Sequence, residues 1–204
     1  MNVRAVLATG NAGKLRELRA LLAGRGVDLE PQSAFGIDPP PETGTSFVAN
    51  ALLKARHAAH LTGLPAIADD SGIEVDALGG RPGVHSARFA GEGAGDEANL
   101  RRLLGELSAV PDARRSARYR CVIVFVRSHE DSRPVIADGT WEGRIARAPR
   151  GTGGFGYDPV FEVPGTGRTA AELEPAEKNA LGHRGQALRA LLTELDAKGI
   201  LYRP

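Results

Sequence analysis

Cysteine, methionine and tryptophan each occur once in this 204-residue sequence, and aromatic residues make up only 5% of it. A single cysteine excludes an intramolecular disulfide. Cys121 sits in the apolar run Cys121-Val122-Ile123-Val124-Phe125-Val126 with no basic group that obviously activates it, so it reads as a buried strand thiol. A surplus of one charge sign is also missing: 26 Lys and Arg face 25 Asp and Glu, for a net charge of +1. That balance argues against electrostatically driven binding of a long nucleic acid, while leaving room for a local basic pocket that takes a small polyanion. No apolar stretch is long enough to span a bilayer, and the opening Val-Arg-Ala-Val-Leu-Ala-Thr lacks the parts of a signal peptide. The expected compartment is therefore the cytoplasm, with no membrane partner. Linker-like and low-complexity tracts are absent too, and the expectation is one domain over residues 1–204.

What is present is an interleaving of strand and helix patterns. Val3 to Ala8 is a short apolar run suited to a buried strand, and Thr9-Gly10-Asn11-Ala12-Gly13-Lys14 is the turn after it. Leu15, Leu18, Leu21 and Leu22 then recur at helical spacing, with Lys14, Arg16, Glu17 and Arg19 on the wet side and Gly24 and Gly26 beyond the end. Pro39, Pro40 and Pro41 lead to Glu42-Thr43-Gly44-Thr45-Ser46. A second helix is expected over Phe47 to His60, with Thr45 or Ser46 as its N-cap. Leu64 to Ala68 reads as a brief buried strand running into Asp69-Asp70-Ser71-Gly72, and Ile73 to Leu78 as a separate alternating strand. After a glycine-rich loop, Asp96 is the expected cap of a helix with Leu100, Leu103, Leu104 and Leu107 as its core stripe. Arg118–Arg127 and Pro134–Arg147 read as antiparallel neighbours, Val160–Val163 as a short strand, and Arg184–Leu195 as a final helix. The pattern implies an α/β fold with a mixed sheet.

Several residues could carry chemistry. The turn before Lys14 offers helix-start amides, a positive dipole end and an ammonium, which together suit an anion; a bland connection with a solvated lysine explains it as well. The spacing is not that of a P-loop. Asp69 and Asp70 at the end of a buried strand repel one another if enclosed, and a divalent cation on oxygen ligands is the usual relief. A turn-forming Asp before Ser71-Gly72 accounts for one of them, less well for both. Glu42 offers a further oxygen ligand from a second loop. Asn50, Lys54 and Ala58 share one helix face, where Lys54 can reach a phosphate, although most helix lysines are solvated. His57 and His60 have no third ligand, which argues against zinc. Phe155 and Tyr157 in the loop Gly151–Asp158 can stack on a base, or simply pack the loop. Lys178, Asn179, His183 and Arg184 gather donors at a helix entrance, where they suit a planar carbonyl acceptor.

The order of these motifs is more specific than any one of them. Thr9-Gly10-Asn11-x-x-Lys14, then Glu42-Thr43-Gly44 with Phe47, Asn50, Ala51, Lys54 and Ala55, and Ala68-Asp69-Asp70-Ser71-Gly72 come first. Leu78-Gly79-Gly80-x-Pro82-Gly83-Val84-x-Ser86-Ala87-Arg88, Gly153-Gly154-Phe155-Gly156-Tyr157-Asp158-Pro159 and Glu177-Lys178-Asn179 with His183-Arg184 follow. In this sequence the chain resembles the inosine/xanthosine triphosphate pyrophosphatases over essentially its whole length. The resemblance implies an elongated α/β fold with a long mixed sheet, two lobes and a nucleotide cleft between them, in a homodimer. It also implies Mg²⁺-dependent hydrolysis of ITP, dITP and XTP to the monophosphate and pyrophosphate. By the resemblance, Asp70 is the general base; Lys14, with the helix-start amides, is expected to stabilise the departing pyrophosphate. Glu42 and Asp70 are metal ligands, with Asp69 close by. Thr9, Gly10, Asn11, Ala12, Gly13, Lys14, Lys54 and Ser71 take the triphosphate. Phe155, Gly156, Tyr157, Asp158, Lys178, His183 and Arg184 take the nucleoside. One departure is Gly182, where the family commonly carries Ser; an altered affinity or selectivity is expected from it, not a loss of activity.

Two other classes compete. One is a related nucleotide pyrophosphatase acting on modified pyrimidines, like the septum-formation-inhibitor proteins. The other is a non-catalytic nucleotide-binding protein, which leaves the aspartate pair without a purpose. The sequence does not give the preference among ITP, dITP and XTP, the means of rejecting GTP, the number of metal ions or the dimer contacts.

Overall fold

The computed structural model describes residues 3–22 and 24–200. Six strands form one sheet in the order β2-β1-β3-β4-β5-β6. β1 (Val3–Leu7) pairs in parallel with β2 (Val27–Pro31) and with β3 (Ala66–Val75), whereas β5 (Val135–Ile145) pairs antiparallel with β6 (Phe161–Glu162); β4 (Ser116–Val126) lies between β3 and β5. The sheet is mixed, as the interleaved patterns imply. The helices are α1 (Ala12–Leu22), α2 (Phe47–Thr62), α3 (Asp96–Glu106), α4 (Pro175–Leu181) and α5 (His183–Ala197). Among the described residues no helix is long and apolar enough to cross a membrane.

The chain divides into two compact units. The first comprises residues 1–70, 121–139 and 184–204, and the second 71–120 and 140–183. Each has its own core. In the first unit Leu7, Leu18, Ile67, Cys121, Ile123, Leu188 and Leu191 pack together; in the second, Ile73, Val75, Leu103, Leu107, Tyr119, Trp141 and Phe161 do. The apolar run around Cys121 is a buried strand, and the leucine stripes of α3 and α5 point inward, as their spacing requires.

Two local expectations change, and one strand is found where none was expected. The two segments flanking Asp69-Asp70 are a single ten-residue strand, β3. Asp-Asp-Ser-Gly favours a turn in isolation, but β3 is hydrogen-bonded between β1 and β4, and the carboxylates find partners that hold them in extended backbone. The N-cap of α3 is Gly95 rather than Asp96; Asp96 is the first helical residue and its carboxylate accepts the Gly156 N–H at 2.7 Å. Residues Val27–Pro31, which carry only a faint alternation, form the edge strand β2, a position that tolerates the proline. The cap of α2 falls on Ser46, whose Oγ accepts from Ala49 N at 3.2 Å, and Gly63 closes that helix with φ of 68°.

Candidate active site

Within the first unit, one strand, three helices and one connecting segment bring acids and bases together. β3 supplies Asp69 and Asp70, α1 supplies Lys14 and Glu17, α2 supplies Asn50 and Lys54, and the segment before α2 supplies Glu42. The turn into α1 is set by its own side chains: Thr9 Oγ1 accepts from Asn11 N at 3.2 Å, and Asn11 Oδ1 accepts from Lys14 N at 3.0 Å. Asn11 is thus the N-cap of α1, and Lys14, three residues on, starts from a fixed backbone. Gly10 lies in this turn, while Ala12, whose side chain lies outside the described residues, and Gly13 open α1.

Lys14 does not extend into solvent as the helical pattern alone suggests. Its Nζ lies 3.0 Å from Asp69 Oδ2. Glu17 is drawn inward likewise, by the guanidinium of Arg184 at the start of α5, and Arg184 Nε also approaches Asp69 Oδ2 at 3.4 Å. Asp69 and Arg184 are 0% and 3% exposed. Burial opposes the charge on Asp69, but Lys14, Arg184 and Lys54 together outweigh it and hold the carboxyl well below the usual carboxylate range. The wet face of α1 is therefore narrower than expected, because two of its charged residues have buried partners.

Lys54 is equally unlike a solvated helix lysine. At 6% exposure it bridges two carboxylates, 2.9 Å from Asp70 Oδ1 and 2.9 Å from Glu42 Oε1. Burial works against its charge, yet Asp70, Asp69 and Glu42 raise its pKa above the ordinary lysine value. Asp70 is shifted the other way from Asp69: burial, aided by Glu42, raises its carboxyl above the usual range against the pull of Lys54 and Lys14. Adjacent aspartates thus have unlike environments, one held low by three cations and one raised by burial. Asn50, fully buried, donates from Nδ2 to Asp70 Oδ2 at 3.2 Å. The amide of Asn50 and the acid of Glu17 are the members of this group that the sequence reading left without a role; no local pattern marks them, since their partners are distant in the chain.

The donor set can be tested against a divalent cation. Among the described residues no three or more of His, Cys, Asp and Glu are positioned to hold a metal ion, so a full protein cage is absent. Mg²⁺, however, is commonly held by one or two carboxylates together with water and substrate phosphates. Glu42 and Asp70, gathered on one ammonium, fit that sparse mode, and the buried Oδ1 of Asp69 has no hydrogen-bond partner. Glu17, Glu42, Asp69 and Asp70 pair with Lys14, Lys54 and Arg184 in this group.

The second unit holds a separate polar group. Asp158 is its hub: it accepts from Tyr119 Oη at 3.1 Å, from Phe155 N at 2.8 Å and from Lys178 Nζ at 2.6 Å. Gly154 is required there, with φ of +73° and a Cβ position only 2.0 Å from Asp158 Oδ2. Lys178 Nζ also stands 4.7 Å over the centre of the Phe155 ring. His183 stacks on Tyr119, with ring centres 4.6 Å apart and an interplanar angle of 8°. Tyr157 is part of the core and donates to the Ser86 carbonyl at 2.7 Å; Phe155 and Gly156 are half-buried, as is Ser71 in β3. Gly182 joins α4 to α5, and a Cβ there would meet the Lys178 carbonyl oxygen at 2.7 Å, so a serine at this position requires the backbone to shift. His57 and His60 belong to neither group.

Comparison with known proteins agrees over nearly the whole chain. The model of the Ham1 family matches residues 5–194. The dITP/XTP pyrophosphatase of Thioalkalivibrio sulfidiphilus is 61% identical over 96% of this chain and 100% of its own length. The protein of the same name from Escherichia coli strain K12 is 56% identical over 94% of this chain and 98% of its own length. Among solved structures, a HAM1 protein from Coxiella burnetii superposes with a TM-score of 0.88 at 50% identity, covering 96% of this chain and 99% of the other. The nucleoside-triphosphatase, dITP/XTP pyrophosphatase, of Mycobacterium abscessus does so with 0.75 at 46% identity, covering 95% and 100%.

Proposed function

Because the chain belongs to the Ham1 family, we propose that it acts as a dITP/XTP pyrophosphatase and that the acid–base group around Asp70 performs the hydrolysis. It is a hydrolase of phosphoric anhydrides. Deaminated purine nucleoside triphosphates (ITP, dITP and XTP) are cleaved to the monophosphate and pyrophosphate, which clears them from the nucleotide pool. The observation that carries the assignment of roles is the contrast between the neighbouring aspartates. Asp69 is tied to Lys14 and Arg184, whereas Asp70 is buried with a raised pKa beside Lys54.

In this reading Asp70 is the general base. Attack of water on the α-phosphorus develops positive charge on the attacking oxygen, and the Asp70 carboxylate takes the proton. A carboxyl raised above its ordinary range is a better acceptor for that step than one locked by cations. Lys14, fixed by Asn11 and Asp69, supports the departing pyrophosphate together with the amides at the start of α1, assisted by Thr9, Gly10, Gly13 and Ser71. Lys54 neutralises charge between Glu42 and Asp70 and serves the phosphates. Mg²⁺, when bound through Glu42 and Asp70 with Asp69 nearby, supplies charge neutralisation at the phosphate oxygens. Phosphoryl transfer asks for this kind of positioning and charge stabilisation more than for covalent help.

For the nucleoside we assign Phe155, Gly156, Asp158, Lys178 and His183, with Tyr157 shaping the loop. Hypoxanthine and xanthine present a carbonyl at position 6 where adenine presents an amino group, and Lys178 and His183 are suited to donate to it. Arg184 supports this end of α5 through its pairs with Glu17 and Asp69. A homodimer and a place in the cytoplasm complete the reading. A screen of nucleoside triphosphates with added Mg²⁺, read as pyrophosphate released, tests it: dITP and XTP should exceed dATP, dTTP and dUTP. Preference for a pyrimidine, or nucleotide binding without pyrophosphate release, overturns it.

A further inference from the structure

We infer that Asn50 is a positioning residue for the hydrolysis, a two-ended clamp that holds the Asp70 carboxylate and the Glu42–Gly44 segment in register. The inference rests on the role given to Asp70 above. Asn50 is fully buried on α2, and each end of its amide has one partner: Nδ2 donates to Asp70 Oδ2 at 3.2 Å, and Oδ1 accepts the Gly44 N–H at 2.8 Å. These partners also fix the orientation of the amide. A flipped side chain would set NH₂ against the Gly44 N–H and a carbonyl against the carboxylate, two like pairings in place of two complementary ones.

The geometry around Gly44 shows how tightly the far end is held. A Cβ on Gly44 would lie 2.6 Å from Asn50 Oδ1, 2.8 Å from Ala49 Cβ and 3.0 Å from Asn50 N. The backbone thus reaches the amide only because residue 44 has no side chain. Glu42 stands two residues upstream and meets Asp70 on the Lys54 ammonium, one turn along α2 from Asn50. Asn50 and Lys54 therefore grip the same two pieces of chain: Asn50 by neutral hydrogen bonds, Lys54 by charge. Lys54 alone leaves one Asp70 oxygen free to rotate away; Asn50 takes that second oxygen. The Oδ1–Oδ2 direction of the proposed base is then fixed at both ends.

A clamp acting through Asp70 predicts a loss in turnover rather than in substrate binding. For Asn50→Ala, kcat with dITP should fall about 10- to 100-fold, the range of a lost hydrogen bond to a charged group, while KM stays within about threefold. Asn50→Asp keeps the acceptor for Gly44 but removes the donor to Asp70, and should lose at least as much kcat while circular dichroism shows the wild-type fold. Gly44→Ala should lower kcat in the same way by pushing the segment off the amide. The deciding measurement is a cycle with Asp70→Asn. In that background Asn50→Ala should change the residual single-turnover rate by less than about threefold, because the carboxylate it orients is already gone. Wild-type kcat in both Asn50 variants, a change in KM alone, or an undiminished Asn50 effect in the Asp70→Asn background each overturns the inference. If Asn50→Ala does not fold, Asn50→Asp provides the same cycle. An inactive Asp70→Asn beside harmless Asn50 variants rejects the clamp and leaves the base assignment standing; an active Asp70→Asn removes the assignment itself.

Discussion

Lys14 Nζ and Asp69 Oδ2 stand 3.0 Å apart, a helix-start lysine turned back onto a fully buried strand aspartate. The pairing keeps a cation beside the turn into α1 without leaving it free to wander. It also makes the two residues interdependent. Lys14→Met should raise KM for dITP and lower kcat, and should destabilise the fold by about 2–3 kcal/mol, since Arg184 retains part of the compensation for Asp69. Steady-state kinetics and urea unfolding of the same preparation check both parts.

Asp70→Asn is the most direct test of the chemistry. Asparagine preserves the shape of the side chain but cannot accept the proton from water. Turnover of dITP should fall about 10²- to 10⁴-fold, the usual worth of a positioned base, with thermal stability near that of the parent. Parent-like rates would reject the role given to Asp70.

His183 lies flat against Tyr119 in the second unit, with ring centres 4.6 Å apart. His183→Ala should reduce the ratio of kcat/KM for ITP over GTP by about tenfold, because polar groups aimed at a base govern discrimination more than affinity. The stability change should be small by comparison. An unaltered ratio counts against this residue as a reader of the base.

Arg115 is 1% exposed, and its guanidinium donates to three main-chain carbonyls: Ile145 O at 2.8 Å, Leu107 O at 2.7 Å and Ala146 O at 2.9 Å. Nothing in the chemistry uses it. Arg115→Met removes three buried hydrogen bonds, with Leu107 O keeping the Val110 N–H at 3.0 Å, and should cost about 2–4 kcal/mol of stability, with kcat of the folded fraction preserved. Chemical denaturation followed by fluorescence of Trp141 measures it.

Asp131 closes the connection between β4 and β5. It accepts from Arg127 N at 3.0 Å and Arg133 N at 2.9 Å and pairs with the Arg127 guanidinium at 2.8 Å. The Arg127 side chain, opposed by partial burial and aided by the two backbone donors, holds the carboxyl well below the usual carboxylate range. A lowered folded-state pKa means that the stabilisation is fully present above the unfolded value, about 4, and is lost as pH falls through the folded value. Asp131→Ala should therefore cost about 1–2 kcal/mol at pH 7, and the gap between variant and parent should narrow steadily below about pH 4. A gap that stays constant down to acid unfolding would contradict this.

The elements were legible where a period or a cap announced them. The leucine stripe of α3, the Ser46 cap and the apolar runs of β1 and β4 follow from local rules. The aspartate pair was legible as an oddity, since two adjacent carboxylates at a buried strand demand partners. Their partners were harder to see. Lys14, Glu17 and Lys54 look like surface residues in any helical projection, and only the placement of α1 and α2 against β3, with Arg184 at the start of α5, turns them inward. The same is true of Asn50, whose two hydrogen bonds span six and twenty residues of chain. Turn preference misled at Asp69–Gly72 because it counts neighbours in sequence, whereas the strand there is held by neighbours in space.

Cys121 carries a consequence of a practical kind. Its sulfur is fully buried, 4.0 Å from Asp69 Oδ2, and burial together with that anion pushes the thiol up to about 12. In the closed fold such a group is inert to alkylating reagents, and no second cysteine in the chain can compete for them. Every labelled molecule has therefore opened at β4, so the native protein can time its own breathing, with no engineered reporter attached.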